Sequence, residues 1–140
     1  MRGAASSAWA WLQRLMVRWR WVLAAAYSAW IYWLSSIEYL HTRLPGRVSH
    51  YDKLGHVAVY AVLGALYFNA VTAGGGRASA RRTILAFLLT VAFGASDEWH
   101  QSFVPGRSGK LGDWLADALG AALAMGLGWW LARRGAGRRE

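Results

Sequence analysis

Asp52, His56 and Tyr60 recur at every fourth residue, so on a helix they stack along one face. Asp113 and Asp117 repeat that spacing further on. Between them, Asp97, His100 and Gln101 share a helical face, and Glu98 shares one with Gln101. Carboxylates beside an imidazole suit proton transfer. His56, Glu98 and Asp117 are the candidate acid/base residues. Arg107 and Lys53 would hold a phosphate or carboxylate brought to the same place. With Asp52, Tyr60, Asp97, His100, Gln101 and Asp113 they make the candidate ligand-binding set. A metal site can be drawn from His56, His100, Glu98 and Asp52. No His-x-x-x-His or Cys pair supports it, so no metal and no cofactor is expected. The plainer readings are helix-start chemistry for Asp52 and Asp113 and a strut between helices for Asp117.

The elements that must position these groups are long and apolar. Residues 21–37 carry no charge, and residues 54–73 carry only His56 and Asn69 as strongly polar groups. Residues 83–96 reach spanning length only by absorbing the polar residues up to 101. The fourth run, 113–132, has Asp113 and Asp117 in its first turns. About 20 residues cross a hydrocarbon core of roughly 30 Å, and a chain in lipid must pair its backbone internally. The expectation is an all-α, four-helix transmembrane bundle in a single domain, 1–140, with spans at about 20–38, 54–73, 82–101 and 113–132. Trp9, Leu12, Met16 and Trp19 have helical spacing and predict a short N-terminal amphipathic segment on the membrane surface. A signal peptide is disfavoured, since no small-x-small site follows the first apolar run. The Gly74-Gly75-Gly76 turn reads as a short loop, and Gly112, Gly120, Gly126 and Gly128 read as close helix packing.

Composition agrees. The chain has 140 residues, is 56% hydrophobic and holds ten Trp, yet carries 16 Lys+Arg against 7 Asp+Glu, a formal +9. A soluble nucleic-acid module would not be this apolar, and no nucleic-acid partner is expected. A disordered basic tail would not hold so many Trp and Leu. The absence of cysteine removes disulfides and a thiol nucleophile. Eleven of the sixteen Lys and Arg fall at the two ends and in the loop between the second and third runs. The positive-inside rule therefore predicts cytoplasmic N- and C-termini. Trp19, Trp21, Trp129 and Trp130 fit that boundary, and Trp33, Trp99 and Trp114 the opposite one. All the acidic residues except Glu140, all four His and both Lys then lie toward the outer face. Intramembrane ionisable groups normally turn inward, so the three polar faces should converge on an outward-facing cavity.

The ordered blocks Asp52-Lys53-x-x-His56-x-x-x-Tyr60, Ser96-Asp97-Glu98-x-His100-Gln101-x-Phe103-x-Pro105-Gly106-Arg107 and Asp113-x-x-x-Asp117-x-x-Gly120 resemble the VanZ-like family over roughly residues 50 to 125. Glu98 and Gln101 are the positions carried over most directly; Asp97 and His100 match a subgroup pattern. The resemblance implies a small multi-pass protein of the bacterial inner (plasma) membrane. Its founding type is associated with low-level resistance to teicoplanin-type glycopeptides, which act outside the cell on the cell-wall precursor.

Three functional classes follow. The first is a site that binds or modifies a lipid head group or lipid-linked cell-envelope precursor, with membrane lipids as partners. The second is a small transporter or proton-path helper. The third is a structural, partner-binding membrane protein without catalysis. The cytoplasmic halves of the spans offer little polarity beyond Ser28, Asn69, Thr72, Thr83 and Thr90, which favours the first over the second. Topology is open to direct measurement. A periplasm-only reporter fused near Pro45 and a cytoplasm-only reporter fused near Gly75 should both be active; activity of the reverse pair would overturn the orientation.

Overall fold

The apolar runs fold as helices, which pair their own backbone groups wherever water is excluded. The computed structural model describes residues 3–38, 48–72 and 79–136. Its helices are α1 (Gly3–Ser35), α2 (Val48–Thr72), α3 (Ala80–Gln101) and α4 (Leu111–Ala136). The described residues contain no strand, as the all-α expectation requires. His41 and the Gly74-Gly75-Gly76 turn lie outside the described residues.

Several boundaries differ from the apolar runs for one reason: freedom from charge measures hydrocarbon, not helix. α2 begins before its apolar run, and its first turn holds no acidic residue, so Asp52 is not a helix cap. Asp113 does lie in the first turn of α4, where the helix dipole favours a carboxylate. Ser79 caps α3, its hydroxyl accepting the Arg82 N–H at 3.4 Å. The expected separate N-terminal segment is instead the beginning of α1, one helix of 33 residues; the side chains of Trp9 and Leu12 lie outside the described residues.

The bundle is apolar outside and polar at one end within. Leu111, Leu115, Leu119, Leu123, Leu127 and Leu131 recur every fourth residue along α4, and all are exposed. Meanwhile Asp97, Glu98, Gln101, Asp113 and Asp117 are buried. Water favours the reverse arrangement, and lipid favours this one. Among the described residues, two segments are long and apolar enough to cross a membrane: Asp52–Thr72, with mean hydropathy 1.6, and Leu111–Arg134, with 1.4. The expectation of four spans is thus met for two helices. α1 mixes arginines, serines and tyrosines into its apolar run, and α3 ends in Ser96-Asp97-Glu98-Trp99-His100-Gln101.

α2 and α4 form the most extensive interface, because small residues let their backbones approach. A side chain at Gly120 would strike the Val57 carbonyl and come within 2.9 Å of the Ala61 nitrogen. Gly64 faces Ala121 and Ala124 at 3.2–3.3 Å, and Gly128 lies under the Phe68 ring. Gly126 departs from the expected packing role, since a methyl group there would meet nothing within 4 Å. α1 packs mainly on α2 and less on α3, along the buried stripe Ala24, Ser28, Ile31 and Ser35. Tyr27 donates to the Val59 carbonyl at 3.4 Å, and the Ser28 and Tyr67 hydroxyls share a bond of 3.2 Å. Trp114, expected as a boundary anchor, also ties α4 to α3 by donating to the Val91 carbonyl at 3.1 Å. At the other end of α4, Arg134 lies 3.7 Å over the Trp130 ring and Arg133 lies 5.6 Å over Trp129.

The two glycines give an internal control. Gly120→Ala should destabilise the protein by about 1–3 kcal/mol through overpacking against backbone. Gly126→Ala should leave stability unchanged or raise it by up to about 1 kcal/mol. Thermal unfolding in detergent reads both, and equal effects would show that α2 and α4 do not meet at Gly120.

Candidate functional site

The polar end is built on two buried carboxylates one helical turn from the C-terminus of α3. Asp97 and Glu98 are adjacent in sequence, so their side chains diverge by about 100° around the helix. Asp97 turns toward α1 and α2. Its Oδ2 accepts from Ser35 Oγ of α1 at 2.8 Å, Tyr60 OH of α2 at 3.2 Å and Gln101 Nε2 of its own helix at 3.0 Å. One oxygen thus joins three helices. Its partner Oδ1 has no hydrogen-bond partner among the described residues.

Glu98 turns the other way. Its Oε2 accepts the Lys110 backbone N–H at 2.7 Å, fixing the loop before α4. Gly109 permits this, since any side chain there would strike the Glu98 carbonyl. Across from Glu98, His56 Nδ1 donates to Asp117 Oδ1 at 2.8 Å, joining α2 to α4. A carboxylate only accepts, which places the hydrogen on Nδ1. Gly94 leaves room for this carboxylate: a methyl group there would lie 3.1 Å from Asp117 Oδ2 and 3.2 Å from the Tyr60 ring. Asp117 is 1% exposed and Glu98 7%, yet Asp117 Oδ2 and Glu98 Oε1 have no hydrogen-bond partner among the described residues. An unpaired buried acceptor costs about 1–3 kcal/mol, more when charged. Donor atoms of His56, Glu98 and Asp117 lie within 4.8 Å of one another, as do those of Asp52, His56 and Asp113.

Lys53 Nζ pairs with Asp113 Oδ1 at 3.1 Å, a second tie between α2 and α4. Gly112 makes the approach possible, for a side chain there would come within 2.7 Å of Nζ. Arg107 follows a turn in which its N–H bonds the Val104 carbonyl at 3.0 Å, with Pro105 and Gly106 between and Gly106 at φ 78°. Proline then glycine with positive φ is the pattern of a type II turn. The turn carries Nη1 to the carbonyls of Leu34 and Ser35, at 3.1 and 2.7 Å. Arg107 therefore caps the C-terminus of α1, and among the described residues it pairs with no carboxylate. A cavity of about 250 Å³ lies among α1, α2, α3 and this turn, lined by Ile31, Leu34, Ser35, Asp52, Gly55, His56, Val59, Tyr60, Asp97, Gln101 and Arg107.

The structure brings most of the expected residues together. Asp52, His56, Tyr60, Asp97, Gln101 and Arg107 share the cavity, and Glu98 and Asp117 adjoin it through His56. His100 departs from the face expected for it. Its Nδ1 bonds Tyr32 OH and its Nε2 bonds Ser36 Oγ, both at 3.0 Å, and the ring stacks on Tyr32 at 4.1 Å. Three residues along a helix turn back by about 60°, whereas four advance by about 40°. Gln101 thus stays with Asp97, and His100 swings onto the outer flank of α1. Ser35 was not among the expected site residues. Its spacing places it on one face of α1 with Ala24, Ser28 and Ile31, but nothing local marks it as a partner for a carboxylate.

Searches of curated proteins and of solved structures gave no match. A family model described as VanZ/LLP1 matches residues 6–132, a region that contains all four helix cores and every residue of the polar end, and the chain belongs to that VanZ-like family.

Proposed function

We propose that the chain is a multi-pass protein of the bacterial plasma membrane with both termini cytoplasmic. Its outward-facing polar end binds or modifies the phosphate-bearing head group of a lipid or lipid-linked cell-envelope precursor. The observation that carries this reading is the cavity of about 250 Å³ with Arg107 beside His56, Tyr60 and Gln101 in its wall. Pockets for drug-sized ligands run to about 300–1,000 Å³, so this one suits a head group and leaves the lipid tail against the apolar exterior. Arg107 Nη1 is held by two α1 carbonyls, which orients the planar fork whose remaining donors suit a phosphate. His56, Glu98 and Asp117 stand next to it as acid/base groups. The family's association with glycopeptide resistance fits a site facing the compartment where those drugs meet the precursor.

The competing classes draw less support. A transport path would need polarity continuing through the bundle. The buried polar groups away from this end are Ser28 and Thr90, among the described residues. Thr90 only returns a bond to its own helix at Ala86, 2.8 Å away. A purely structural network would satisfy its members, whereas three buried carboxylate oxygens have no partner among the described residues.

The function test separates ligand binding from folding. Expression in a teicoplanin-susceptible bacterium should raise tolerance. Glu98→Gln keeps an acceptor for the Lys110 N–H, so it should abolish that tolerance at unchanged abundance and melting temperature. Asp97→Asn disturbs the junction of three helices and should lower abundance, melting temperature and tolerance together. Full tolerance in a well-folded Glu98→Gln protein would contradict the proposal.

A further inference from the structure

We propose that His56, Glu98 and Asp117 form a binding site for one divalent transition-metal ion. The three side chains come from α2, α3 and α4, and each offers a donor atom within 4.8 Å of the others. A tetrahedral site with bonds of about 2.0–2.2 Å needs donors roughly 3.4 Å apart, so the three side chains would draw closer on binding, and the ion would replace the hydrogen that His56 Nδ1 donates to Asp117. The donor chemistry fits. One imidazole with two carboxylates is a mixed nitrogen and oxygen set of the kind that holds Zn²⁺, Mn²⁺ or Fe²⁺, and its two negative charges match a dication.

The second observation is independent of the spacing. Glu98 Oε1 and Asp117 Oδ2 are buried and have no hydrogen-bond partner among the described residues. Buried acceptors without partners are rare and call for an explanation such as a bound ion. Of the cations nearby, Arg107 is bonded to the Leu34 and Ser35 carbonyls and Lys53 is engaged by Asp113. That pair also argues against the overlapping set of Asp52, His56 and Asp113, where an ion would have to displace Lys53.

The expectation of no metal rested on the missing His-x-x-x-His and Cys pairs. Those signatures belong to sites whose ligands share one helix or loop, whereas these ligands meet only when three helices pack. Three protein donors leave a coordination position open, as at catalytic rather than structural ions. That position would take a water or a phosphoryl oxygen. The head-group reading supplies the purpose of such an ion, but the site itself stands or falls without it.

The experiment reads metal alone. Chelator-treated protein in detergent is titrated with Co²⁺, followed by its visible absorption, and then with Zn²⁺ as competitor. The expected result is one equivalent per chain, displaced by Zn²⁺, with a raised melting temperature. His56→Ala and the double variant Glu98→Gln with Asp117→Asn should lose about tenfold or more in affinity, while His100→Ala binds as the parent does. Should the first two variants fail to fold, the parent titration decides. Substoichiometric binding to the parent, or binding lost in His100→Ala and kept in His56→Ala, overturns the proposal. Loss of teicoplanin tolerance plays no part in this readout, so the head-group reading can fail while the metal site stands.

Discussion

Asp97 puts a carboxylate where three helices meet, and the rest of the polar end depends on its being held there. Burying a charged or polar group is costly unless it is hydrogen-bonded. Asp97 Oδ2 collects donors from Ser35, Tyr60 and Gln101, so the carboxylate fixes the register of α1 and α2 against α3. Arg107 closes the same corner from outside, donating to the carbonyls of Leu34 and Ser35. With α1 pinned at its end, the space among Ser35, His56, Tyr60 and Arg107 is kept as a cavity.

The other half of the site rests on backbone proximity. Gly120 sits against the Val57 carbonyl, three residues beyond Asp117 on α4 and one beyond His56 on α2. Close approach at that level sets α2 and α4 near enough for His56 and Asp117 to bond at 2.8 Å. Gly94 does the same service on α3, leaving room for the Asp117 carboxylate and the Tyr60 ring. Small residues thus position the chemistry without touching a ligand, which is a common arrangement where helices pack in lipid.

Much of this was legible in the sequence. Four-residue spacing placed Asp52, His56 and Tyr60 on one face, and the long apolar runs located α2 and α4. The helix ends were less legible, because α2 runs past Asp52 and Lys53 into charged sequence and α1 takes in residues expected to lie apart. His100 shows the limit of face arguments: an offset of about 60° is small on a helical wheel and decides which neighbour is met. Ser35 was hidden for a different reason. A serine near the end of an apolar helix is unremarkable until a carboxylate from a distant segment arrives beside it. The trio of His56, Glu98 and Asp117 likewise has no local signature, since its spacing exists only in the packed bundle.

Two carboxylates and an imidazole converge beside a cavity with a guanidinium in its wall, and one oxygen of each carboxylate has no hydrogen-bond partner among the described residues. On the proposed reading, that combination marks a ligand site and not a strut between helices. The most direct measurement is an experimental structure of the protein in a bilayer of bacterial lipid, with the co-purified lipid retained. The account requires head-group density in the cavity, its phosphate within hydrogen-bond distance of the Arg107 guanidinium and near His56. Ordered lipid only along the leucine-rich face of α4, with the cavity holding water alone, would contradict it.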